Sequence, residues 1–70
     1  MNTLPAFHQP LTRANDPTFY GYAVGAILDG DGRPAHVLIS IVEPGLTLYN
    51  AGDQKPVPLS ELEPAKRKAR

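Results

Sequence analysis

Ala35–Val42, AHVLISIV, is the stretch whose reading decides the fold. Five of its eight residues are Val, Leu or Ile, and four of those are β-branched, which suits a pleated, half-buried surface. Gly32-Arg33-Pro34 closes one side and Glu43-Pro44-Gly45 the other, so the run is too short for a helix. It reads as a central strand with Val37, Ile39 and Ile41 on one face and His36, Leu38, Ser40 and Val42 on the other. Leu38 and Val42 make the second face partly apolar, so cover is expected on both sides.

Working outward, Thr18–Leu28 (TFYGYAVGAIL) alternates as a preceding strand. Gly21 and Gly25 lie on the face of Ala23, and glycines inside a strand mark a bend, a bulge or a close backbone approach. Asp29-Gly30-Asp31-Gly32 joins the two strands with two Asp-Gly pairs, a strong hairpin signal. A calcium loop is the competing reading, but Arg33 occupies the third ligand position and no Glu closes the loop.

On the far side, Pro44-Gly45 predicts a type II turn, Leu46-Thr47-Leu48-Tyr49 a short alternating strand and Asn50–Asp53 another turn. Lys55–Leu59 (KPVPL) is extended, and Pro56 and Pro58 lack N–H groups, which makes it an edge strand. Ser60 with Glu63 matches a capping box and predicts a helical turn.

These elements predict an all-β chain: a small antiparallel barrel of four to five short strands, an extended N-terminal arm and a short C-terminal helical turn. The divisions are an arm over 1–16, the barrel over 17–63 and a basic tail over 64–70. The predicted core is Val24, Ile27, Val37, Ile39, Ile41, Leu48 and Leu62.

Short bent strands ending in Val57-Pro58-Leu59-Ser60-Glu61-Leu62-Glu63 resemble an SH3-like small barrel. Such barrels bind proteins, nucleic acids and small molecules alike, so the resemblance carries no function. Within that fold, Leu46-Thr47-Leu48-Tyr49 is similar to the Val-Gln-Ile-Tyr pore-strand motif of the type II dihydrofolate reductases, with Thr47 where the glutamine stands. The resemblance implies an oligomeric reductase as a remote alternative.

With 70 residues the chain holds one domain and buries only about 60% of its unfolded surface. It has no cysteine, which excludes disulfides and thiol chemistry and fits a reducing compartment. His8 and His36 cannot complete a zinc site alone. No apolar run approaches the ~20 residues of a membrane span, and the first residues lack the pattern of a signal peptide. The expected location is the cytoplasm of a bacterial host cell or an assembled particle.

Neither histidine has a nucleophile or carboxylate at a telling spacing, and no glycine-rich phosphate loop precedes a helix. No catalytic residue, cofactor or metal ligand is therefore assigned. Pro17–Glu63 holds six acids against two bases, a net −4, while Lys66, Arg67, Lys68 and Arg70 follow with +4. An acidic body repels phosphate, and Tyr and Phe are enriched in protein interfaces. The expected function is that of a non-catalytic interaction or structural protein, docking on a protein partner or its own copies, in the style of a phage or mobile-element accessory protein. Its candidate contacts are Phe7, Leu11, Tyr20, Tyr22, Tyr49 and the basic Lys66, Arg67, Lys68 and Arg70. The alternative is a nucleic-acid-associated barrel acting through that tail.

Overall fold

Gly21, Ala23 and Gly25 alternate with Tyr20, Tyr22 and Val24 within Asp16–Leu28, and this run forms the long strand β2 at the middle of the sheet. A computed structural model describes residues 3–65 of the chain. In chain order the strands are β1 (Pro10–Arg13), β2, β3 (Pro34–Glu43), β4 (Gln54–Pro58) and β5 (Leu62–Pro64). They form one antiparallel sheet in the order β4-β3-β2-β1-β5. The all-β expectation therefore holds, with β2 and not β3 in the central place.

The sheet is open, which corrects the expectation of a closed barrel. Among the described residues β4 pairs only with β3 and β5 only with β1, and the 3₁₀ turn Leu59–Glu61 crosses between these two edges. Closing a ladder there requires N–H donors that Pro56, Pro58 and Pro64 lack. β5 is also only 3 residues long. The capping box is not formed either: the turn starts at Leu59 behind Pro58, without a side-chain cap, and Glu63 continues into β5. Leu59 is the cause, because its side chain is drawn into the core and the chain turns one residue earlier.

Pro10–Arg13, read from sequence as part of the arm, is β1 and lies between β2 and β5. Its inward residue, Leu11, is fully buried. A strand of 4 residues with one inward apolar position leaves no period to detect.

β2 carries register shifts at Tyr20/Gly21 and Ala23/Gly25; Phe19 and Ala23 enter the core cluster, while Tyr20, also buried, packs beside Tyr22. At Gly21 β2 lies close against β3. A Cβ there would stand 2.5 Å from Ile39 Cγ2 and 2.6 Å from the Ser40 carbonyl oxygen. Beyond Ala23 the β2–β3 hairpin runs past the end of β1. There Val24 is half-buried and Ile27 is 45% exposed, so neither belongs to the core. At the hairpin tip Asp29 Oδ1 accepts the N–H groups of Asp31 and Arg33 at 2.9 and 3.0 Å, which fits the turn reading of the Asp-Gly pairs.

The core gathers Val37, Ile39 and Ile41 of β3 with Leu11, Phe19, Ala23, Val57, Leu59 and Leu62. The opposite face of β3 (His36, Leu38, Ser40, Val42) is half-buried, as two partly apolar faces require. Ile39 is fully buried at the Gly21 crossing, so Ile39→Ala should cost about 2–5 kcal/mol. Loss of most cooperative unfolding in a thermal melt is the expected result, and an unchanged midpoint would contradict this packing.

Candidate docking groove

Asp16 opens β2 and is 2% exposed, the one buried charged residue among those described. Its Oδ1 accepts the Thr18 N–H at 3.1 Å and the Thr18 hydroxyl. Its Oδ2 accepts the Leu46 N–H at 2.8 Å, across 30 residues of chain. The carboxylate thus ties the β3–β4 connection to the start of β2. Gly45 makes the approach possible: φ is 58°, and a Cβ there would stand 2.6 Å from Asp16 Oδ2 and 2.7 Å from the Phe19 nitrogen. The turn runs Pro44–Thr47, closed by the Thr47 N–H on the Pro44 carbonyl at 3.1 Å. It is displaced one residue from the turn expected, and Gly45 takes its second position.

Leu46–Tyr49 is accordingly a connecting loop and not a strand. Leu46 is 81% and Leu48 100% exposed, which overturns the core assignment of Leu48. The tether spends the Leu46 N–H on Asp16, and the Thr47 hydroxyl and N–H both bond Pro44, so no ladder can form. The likeness to the reductase pore strand loses its strand with this loop.

Between the loop and β4 lies a groove of about 350 Å³. Leu46, Thr47, Leu48 and Tyr49 line one side, and Pro56, Val57 and Pro58 the other. Arg13 and Glu61 close one end as an ion pair at 3.2 Å. Tyr49 is half-buried against the core, with Lys55 Nζ 5.8 Å from its ring centroid. The groove is apolar with one neutralised ion pair, so it can bury aliphatic or aromatic side chains and hydrogen-bond a backbone. It offers no general base or nucleophile with a partner. Among the described residues no cluster of His, Asp or Glu is placed to hold a metal ion, and no helix is long and apolar enough to cross a membrane.

Of the described residues predicted to make contacts, only Tyr49 joins this groove. Leu11 and Tyr20 are buried, 0% and 1% exposed, Leu11 within the core cluster and Tyr20 outside it. Tyr22 is half-buried and meets Tyr20 edge to face, ring centroids 5.7 Å apart. Phe7 is 69% exposed, beside His8. Lys66, Arg67, Lys68 and Arg70 lie outside the described residues. The three tyrosines therefore build no common platform. Missing from the prediction were Leu46, Leu48, Pro56 and Pro58; the Pro-x-Pro pattern was the available signal, read as edge protection alone.

The Thr18 hydroxyl bond, then the Leu46 N–H, hold the Asp16 carboxyl below the usual carboxylate range against the opposing effect of burial. A carboxylate with a lowered folded-state pKa stabilises fully above its unfolded pKa and loses that contribution as pH falls through the folded value. Thermal stability should therefore drop as pH falls below about 4. Asp16→Asn should lower the midpoint at neutral pH and flatten that acid limb; an unaltered limb would show that the tether carries no charge effect. Compared with known proteins, the chain matches no family model, no curated protein and no solved structure.

Proposed function

We propose that this protein is a non-catalytic interaction module that takes an extended, apolar segment of a protein partner into the groove between Leu46–Tyr49 and β4. The observation that carries the reading is the presentation of Leu46 and Leu48, 81% and 100% exposed, on a loop pinned at its base by a buried carboxylate. Soluble chains rarely fix contiguous large apolar side chains in water without a use for them. Pinning also removes much of the ordering cost that a mobile loop meets on binding. Burying both leucines contributes about 3–6 kcal/mol before association costs, so a weak, exchangeable complex is expected. The bent sheet with a 3₁₀ turn between its edge strands also supports the finer SH3-like reading, in an open form.

Nucleic-acid binding is the lesser reading. The described residues hold seven acids and three bases, and Arg13 is paired with Glu61. It rests on the four cationic residues beyond Ala65.

An NMR titration of the labelled chain with charge-poor, leucine- and proline-bearing peptides tests the reading. Expected are shifts at Leu46–Tyr49 and Pro56–Pro58 neighbours that Leu48→Asp reduces at least tenfold in affinity, equivalent to about 1.4 kcal/mol. Leu48 is fully exposed, so that variant should keep its melting point. No shifts with any peptide, together with salt-steep binding to a DNA duplex, would overturn the assignment in favour of phosphate contacts.

A further inference from the structure

β2 has a third, partial edge. β1 accompanies it only as far as Pro10↔Tyr22, and the backbone bonds of His8 and Gln9 to Ala23 complete that side. From Val24 to Leu28 the strand pairs with β3 alone, and among the described residues no strand lies on its other side. The contrast with the outer edges is sharp. β4 carries Lys55, Pro56 and Pro58, and β5 is 3 residues long with Glu63 and Pro64. Charge, proline and shortness are the usual guards of an edge. Val24-Gly25-Ala26-Ile27-Leu28 has no charge and no proline.

We propose that this edge is a self-association surface, on which a second copy of the chain pairs antiparallel about a two-fold axis at Ala26. The two ends of the stretch complement each other. At one end stand exposed Leu4 and Phe7, which with Ala23, Gly25 and Ala26 border a shallow hollow of about 210 Å³, and His8, whose N–H bonds the Ala23 carbonyl and whose ring lies beside Phe7. At the other stand Ile27 and Leu28, 45% and 56% exposed, and the carboxylates of Asp29 and Asp31. An antiparallel two-fold sets each end against its opposite, so Leu4 and Phe7 of one copy meet Ile27 or Leu28 of the other, and His8 faces acids. Parallel addition would place Asp29 and Asp31 against their own copies. Because each copy uses its one open stretch, the pairing closes at two chains and does not propagate. The Asp16 groove lies on other residues, so the inference stands apart from the function proposed for it.

Sedimentation velocity of the full chain between roughly 10 µM and 1 mM spans the range of such an association. Expected is a concentration-dependent dimer that Ile27→Lys and Leu28→Lys each weaken at least tenfold with an unchanged far-UV spectrum, and that Leu48→Asp leaves intact. Amide exchange of the unmodified protein gives a second readout, with protection of Val24–Leu28 rising with concentration. A monomer throughout, a dimer indifferent to both lysines, or exchange at Val24–Leu28 independent of concentration would overturn the proposal.

Discussion

The buried Asp16 carboxylate is the constraint on which the shape of the groove depends. Without side-chain partners a charge in that position is unfavourable, and here three hydrogen bonds from Thr18 and Leu46 satisfy it. Two of them are local and shape the entry into β2. The third reaches the β3–β4 connection and converts a long-range loop into a fixed wall. Gly45 belongs to the same device, since any side chain there collides with the carboxylate and with the Phe19 nitrogen.

A second constraint, at Gly21, shapes the sheet. Absence of a side chain lets β2 lie almost against Ile39 and Ser40, with register shifts on either side of it, and Phe19 and Ala23 of β2 enter the core. Nine core side chains can then come from all five strands and the 3₁₀ turn of so short a chain. The same bending leaves the distal half of β2 beyond the reach of β1.

β3, the Asp-Gly hairpin and the edge character of β4 were legible because each is written in local chemistry: β-branched alternation, turn residues and proline. Val37, Ile39, Ile41 and Leu62 were likewise legible as core. What escaped depends on partners distant in sequence. β1 is too short to show a period and exists because β2 and β5 flank it. Leu46–Tyr49 has the alternation of a strand, yet Asp16 takes the N–H that a ladder needs, and nothing near residue 46 announces that. Val24 and Ile27 lie outside the core because the β2–β3 hairpin runs on past the end of β1, and nothing in their own sequence announces where β1 stops. The groove was half legible, through Tyr49 and the prolines, while its most exposed residue, Leu48, was assigned to the interior.

The Asp16 tether grips the loop through the main-chain N–H of Leu46, not through any loop side chain. Every amino acid except proline carries that N–H. Backbone placement is therefore uncoupled from side-chain identity: the side chains at positions 46 and 48 can vary while the backbone that displays them keeps its place. On the docking proposed for this groove, a lineage built on this scaffold exchanges one partner for another by substitutions at positions 46 and 48, provided that Asp16, Thr18 and Gly45 stay as they are.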